Sequence, residues 1–334
     1  MTGSKIKDTD YLYASARVKS LERGLLSRER LERMSEAKTI EDALKLLSET
    51  GWPEIAAPGM AGVEDALSGR REEAFTLIRS LAPDKRLPDV FLIKYDYHNL
   101  KTLLKSEATG ENPDPLLIGA GRLPCPELKA ALREEDFSGL GQIMAQSAAE
   151  ARDVLARTQD PQLLDLILDR AMHEEMLEMA ASLGSDYLLG YVRLLIDSVN
   201  LRVAVRLRRM GKGAEILRYA AIGGGTVSIT RLLGDLSPDV IESVFNTSAL
   251  APAAQAGVAA LRGESGLAAM DLACDDILLR YLKKAKYVAF GAEPLIGYLG
   301  AVEAELTAVR TVMAGRLAEL SPEMITERLR ETYV

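Results

Sequence analysis

Histidine and cysteine are nearly absent from this chain of 334 residues, with two of each. Cys125 and Cys274 have no regular spacing, which excludes a disulfide framework and a cysteine-rich zinc site and points to a reducing compartment. His98 and His173 lie far apart and leave little material for a histidine-based metal or acid–base centre. His173, followed by Glu174 and Glu175, reads as a solvated helix position. Aromatic residues are 5% of the chain against a hydrophobic fraction of 48%. The core must therefore be Ala, Leu, Ile, Val and Met, which favours packed helices over a sandwich. No unbroken apolar run can cross a bilayer: the richest, Tyr187 to Val205, is interrupted by Arg193, Asp197, Asn200 and Arg202. Met1 to Asp10 is polar with no apolar run behind it, so no secretory signal is expected. A net charge of −8 argues against a general nucleic-acid binder.

What is present reads as helix almost throughout, with no sustained strand alternation. Leu12 to Leu21 leads into a turn at Gly24. Thr39 caps a helix whose apolar face is Leu44, Leu46 and Leu47, ended by Gly51-Trp52-Pro53, and Ala57 to Gly62 reads as a loop. Ser237-Pro238-Asp239 and Ser321-Pro322-Glu323 each set a cap, a first-turn proline and an acid in order. Breaks are expected at Gly110 to Pro126, Gly211 to Gly213 and Gly223 to Gly225.

One pattern recurs three times. Asp96-Tyr97-His98-Asn99-Leu100-Lys101 is echoed by Asp197-Ser198-Val199-Asn200-Leu201-Arg202 and, more weakly, by Glu305-Leu306-Thr307-Ala308-Val309-Arg310. The offsets are 197−96 = 101 and 305−197 = 108. A turn-like segment recurs beside it, as Gly24-Leu25-Leu26-Ser27, Gly121-Arg122-Leu123-Pro124 and Gly225-Thr226-Val227-Ser228. Asp169 and Tyr191 are 22 residues apart, as are Asp276 and Tyr298, which aligns Asp169 with Asp276. A fixed long period sets the architecture before any local motif does. The expected organisation is all-α, with three diverged helical repeats over residues 1–118, 119–222 and 223–334.

Turned at 100 degrees per residue, the acid and the amide of each copy fall inside the apolar stripe, and the base falls at its edge, about 140 degrees from its own acid. A carboxylate inside an apolar stripe needs partners. The spacing predicts that Asp96 and Asp197 are partly buried and paired across repeats, with Lys101, Arg202 and Arg310 among the partners. The candidate inter-repeat or socket residues are Asp96, Asn99, Lys101, Asp197, Asn200, Arg202, Glu305 and Arg310.

Tyr11 to Trp52, with Tyr13-Ala14-Ser15-Ala16-Arg17-Val18 and Leu46-Leu47-Ser48-Glu49-Thr50, resembles the C-subunit family of the V-type (archaeal/bacterial A/V-type) ATPases, whose eukaryotic counterpart is the d subunit. Asp96 to Lys101 looks like that family's most recognisable internal motif, and Glu323 to Val334, with Ile325, Leu329 and Tyr333, is similar to its C-terminal helix. The resemblance runs from end to end, although Ala308 departs from the amide of the other two copies. It implies a funnel or socket of helices with pseudo-threefold symmetry. It also implies a non-catalytic, cofactor-free role in the rotor, on the cytoplasmic face of a membrane. There the base rests on the membrane rotor ring and the socket receives a central axle made of the D and F subunits.

Two alternatives stand beside it. Asp271 and Asp275, with Asp276 adjacent, have the i,i+4 spacing of magnesium-binding helices in all-helical prenyl-transfer enzymes, but the full aspartate-rich motif is absent. Gly223-Gly224-Gly225-Thr226 lacks the lysine of a phosphate-cradling loop and reads as a turn. A generic helical scaffold is the other alternative, and a period near one hundred does not match the common helical arrays. The basic stretch Arg202, Arg206, Arg208, Arg209, Lys212 reads as solvated surface or as a site for an acidic partner or lipid headgroups.

Overall fold

A computed structural model describes residues 6–53, 55 and 59–334, and the described residues contain helices and no strand. In chain order the helices are α1 (Leu12–Leu21), α2 (Arg28–Ser35), α3 (Ile40–Ser48), α4 (Gly59–Leu81), α5 (Asp89–Thr109), α6 (Cys125–Glu134), α7 (Gln142–Thr158), α8 (Pro161–Ser182), α9 (Asp186–Arg209) and α10 (Ala214–Ala220). They continue as α11 (Pro238–Phe245), α12 (Ala251–Leu261), α13 (Leu267–Lys283), α14 (Ala292–Leu317) and α15 (Pro322–Thr326).

The starts follow from capping chemistry. The Thr39 hydroxyl accepts from the Asp42 N–H at 3.2 Å, Asp160 accepts from Gln162 at 2.8 Å ahead of Pro161, and Ser321 accepts from Met324 at 3.3 Å ahead of Pro322. Ser237 holds the cap position of α11, but its hydroxyl turns back to donate to Asp235 at 2.8 Å and makes no cap bond. The expected loop at Ala57–Gly62 is corrected in part. Ala57 and Pro58 lie outside the described residues, and α4 is already helical from Gly59.

The chain divides into two compact units, residues 1–88 with 272–334 and residues 89–271. In the first, α14 is the hub, packing against α4, α1, α2, α3 and α15. It is buried on all sides over Pro294 to Val302, as a helix surrounded by others must be, and further on buries Leu306, Val309, Val312 and Met313 while keeping a polar side at Thr307, Arg310 and Thr311. Gly300 and Gly315 lie where added methyl groups would strike Leu282 and Ile325. In the second unit α8 packs against α5, α7, α9 and α10, while α9 also carries α12. Its motif helices bury Leu100 and Leu104 on α5 and Leu201, Ala204 and Val205 on α9. The apolar stripe read from the sequence is thus the packed face in both units.

Candidate functional site

The acids of the three motif copies lie on the packed faces of α5, α9 and α14: Asp96 is 0%, Asp197 1% and Glu305 6% exposed. A buried carboxylate persists only with donors around it. In each copy a donor comes from a recurring turn. Asp96 Oδ1 accepts the Leu123 N–H at 3.0 Å, Asp197 Oδ1 the Val227 N–H at 3.1 Å, and Glu305 Oε1 the Leu26 N–H at 2.8 Å. The three donors hold the same place, the third residue of Gly121-Arg122-Leu123, Gly225-Thr226-Val227 and Gly24-Leu25-Leu26. The same clasp is made three times, and the third joins the N-terminal turn to a C-terminal helix within one unit.

The second carboxylate oxygen is treated differently each time. The Arg122 Nε donates to Asp96 Oδ2 at 2.6 Å, while Arg122 Nη2 reaches Glu175 at 2.9 Å and Tyr97 donates its hydroxyl to Glu175 at 2.8 Å. Burial pushes the Asp96 carboxyl above its usual range, and the Arg122 and Leu123 donors only partly counter this. Burial also raises the Tyr97 phenol, with Glu175 adding to it. Asp197 Oδ2 accepts both the N–H and the hydroxyl of Thr226, at 3.0 and 2.5 Å. Among the described residues, Glu305 Oε2 faces Arg70 Nε at 3.6 Å, too long for a hydrogen bond. Burial accordingly raises the Glu305 carboxyl, against the opposing pull of Arg70.

The amides form a second tie. Asn99 Nδ2 donates to the Ile118 carbonyl and Asn99 Oδ1 accepts the Ile118 N–H, both at 2.8 Å. Asn200 does the same to Ile222, at 2.9 and 3.0 Å. Each asparagine side chain thus replaces a neighbouring backbone for one extended peptide unit, satisfying groups that burial would otherwise orphan. Ile118 and Ile222 each stand three residues before the glycine of their turn. The matching position in the third copy is Leu21, the last residue of α1. Its peptide already lies in a helix, so Ala308 suffices there.

The bases pair with acids elsewhere, which corrects the expected pairing. Lys101 Nζ lies 2.5 Å from Asp169, Arg202 Nε 3.3 Å from Asp271, and Arg310 donates twice to Glu64 at 2.6 Å. Each base leaves the stripe on its far side and so reaches an acid other than Asp96 or Asp197. The acids do pair across the expected segment boundaries, but with the turns of the following segment. The pairing also corrects the alignment of Asp169, which matches Asp271 and Glu64 and not Asp276. Asp276 instead accepts the Glu331 N–H at 2.8 Å, and Asp275 pairs with Arg330 at 3.0 Å. The aspartates that suggested a magnesium helix are therefore engaged with partners of their own. His173, expected to be solvated, is buried. Its Nδ1 lies 2.7 Å from the Asp169 carbonyl, and burial pushes its pKa down.

Arg122, Glu175, Arg70, Glu64 and the peptides of Ile118 and Ile222 are the participants that sequence reading missed. The recurring turns were the available signal for Arg122, since two of them begin 25 and 28 residues after their motif acids, at Gly121 and Gly225. Nothing in the local pattern marks Glu64 or Arg70.

Buried acids and amides used as ties between helix and turn define a structural all-helical protein, not a reaction centre. The family model described as ATP synthase (C/AC39) subunit matches residues 14–328, and the chain belongs to that family. It is a subunit of a membrane-associated rotary ATPase and not a catalytic one. It is 25% identical to the C subunit of the V-type sodium ATPase of Enterococcus hirae, over 95% of this chain and 97% of that protein. It is 28% identical to the C subunit of the A-type ATP synthase of Methanocaldococcus jannaschii, over 96% and 86% of the two chains. It is 27% identical to the C subunit of the V-type ATP synthase of Thermus thermophilus, over 92% and 94%.

Proposed function

We propose that this chain is the central-stalk rotor subunit that couples a central axle, made of the D and F subunits, to the membrane rotor ring on the cytoplasmic side of the membrane. The observation that carries this is its membership of the C-subunit family across residues 14–328. The clasps add a physical reason. A part that passes torque must not deform, and buried charged hydrogen bonds are stiff and costly to break. We further propose that the three copies are repeats of one unit arranged with pseudo-threefold symmetry, with Asp96, Asn99, Asp197, Asn200 and Glu305 as ties between successive repeats. Among the described residues no helix is long and apolar enough to cross a membrane, which suits peripheral attachment through the ring.

The test is affinity capture of the tagged chain from native membranes. Recovery of ring proteolipid together with the D and F subunits supports the proposal. Recovery of the chain with neither contradicts it.

A further inference from the structure

The basic stretch at the end of α9 is not absorbed by the clasps. Arg202 and Arg206 both bind Asp271, and Lys212 donates to Gln162 at 2.9 Å. Arg208 and Arg209 lie exposed beyond them. Arg231, also exposed, comes back beside this surface: Arg208 and Arg231 both lower the Asp235 carboxyl, after the larger effect of the Ser237 hydroxyl and N–H. Next to Arg231 is an open recess of about 400 Å³ lined by Thr226, Val227, Ser228, Arg231, Val244, Thr247 and Ser248. Three of its lining residues, Thr226, Val227 and Ser228, belong to the second clasp turn.

Its chemistry is one-sided. Four hydroxyl residues and one guanidinium line it, and among the described residues no acid does. Three of the acids around it are engaged, and Glu242 on α11 does not line it. Asp197 is saturated by Thr226 and Val227, Asp239 pairs with Arg262 at 3.2 Å, and Asp235 accepts from the Ser237 N–H and hydroxyl at 2.7 and 2.8 Å. Ser248 donates to the Phe245 carbonyl, and the Ser228 and Thr230 hydroxyls share one bond. A guanidinium fork with hydroxyl donors around it fits a planar carboxylate, held by charge-assisted hydrogen bonds.

We propose that this recess receives a glutamate or aspartate side chain from an acidic segment of a partner protein, with Arg231 as counter-ion, Ser228 and Thr247 as hydrogen-bond donors, and Arg208 supplying longer-range attraction. The recess is concave, so a side chain can enter it where the flat face of a headgroup layer cannot. In a chain of net charge −8, a local cationic recess also sets orientation, because the remaining surface repels an acidic partner.

The experiment is titration of the full chain with a penta-glutamate peptide at low salt, followed by amide NMR. Shifts confined to Ser228, Arg231 and Thr247 and their neighbours are expected, with affinity falling as salt rises. Arg231→Gln is expected to weaken binding about tenfold. Thr247→Ala should weaken it less, and Arg133→Gln, at a distant exposed site, should leave it unchanged. Two further probes are inorganic phosphate and vesicles of phosphatidylcholine with phosphatidylserine. Three results would overturn the proposal: no shifts at the recess with the peptide, equal loss in Arg133→Gln, or Arg231-dependent binding seen only with phosphate or only with the anionic vesicles.

Discussion

At the scale of single residues, the length of the acid decides what its turn must be. An aspartate at 96 or 197 is short, so the turn backbone comes close enough that a methyl group on Gly121 or Gly225 would collide with the carboxylate oxygen. Glutamate at 305 reaches one methylene further, and Gly24 has open space where its side chain would be. Gly121→Ala and Gly225→Ala are therefore expected to destabilise by about 1–3 kcal/mol through overpacking. Gly24→Ala should be neutral or slightly stabilising, because it only restricts the unfolded chain. Urea-unfolding midpoints of the three variants check this, and equal losses in all three would contradict it. Asp197→Ala orphans two N–H groups and a hydroxyl at a site 1% exposed. Its expected cost is about 1–3 kcal/mol, the penalty for leaving such donors unsatisfied, read from the same unfolding curves. Retention of wild-type stability would contradict the clasp. Glu305 adds a pH signature. Its native carboxyl is raised, so the folded state holds the proton more tightly than the unfolded state does. Its contribution to stability therefore falls as pH climbs from the ordinary carboxylate range through the raised native value, and is constant above that. The charged and titratable groups around it are Arg70, Glu73 and Tyr298. Glu305→Gln keeps an acceptor for Leu26 and should lose this fall, so the difference between wild-type and variant stabilities should change across the acidic range. Parallel curves would contradict the assignment.

At the scale of elements, much of this fold is legible in the sequence and the reason is periodicity. Asp96, Asn99, Asp197 and Asn200 fall inside the apolar stripe when the helix is wound at 100 degrees per residue, and they are buried. The recurring turns were also legible as a set. What the pattern did not yield was the partner of each group, because a tie joins residues that only packing brings together. Arg122 is 26 residues from Asp96, Asp169 is 68 from Lys101, and Glu64 is 246 from Arg310. Nor does the pattern mark His173 as buried, since a histidine beside two glutamates looks solvated whichever way the helix turns. The three clasps also differ in strength. The third has one backbone donor, no amide tie and a carboxylate oxygen without a hydrogen bond among the described residues. The Leu26 amide should therefore exchange with solvent faster than those of Leu123 and Val227 in hydrogen-exchange NMR. Slower exchange at Leu26 would show that the packing of α14 outweighs the missing ties.

At the scale of the whole molecule, the proposed role is mechanical, in a chain that catalyses nothing itself. Its acids and amides serve helix–turn ties, its aspartates serve ion pairs, and its glycine-rich turn serves a close approach to Asp197. The family's rotary machinery supplies the context. The central claim is coupling, and it is measured most directly in membranes carrying the parent ATPase with this chain removed and then added back. ATP hydrolysis and ATP-driven ion uptake are followed together. Without the chain, hydrolysis by the catalytic sector should continue while ion uptake is lost. Adding the wild-type chain should restore uptake. Ion uptake that proceeds at the full rate in its absence would contradict the coupling role.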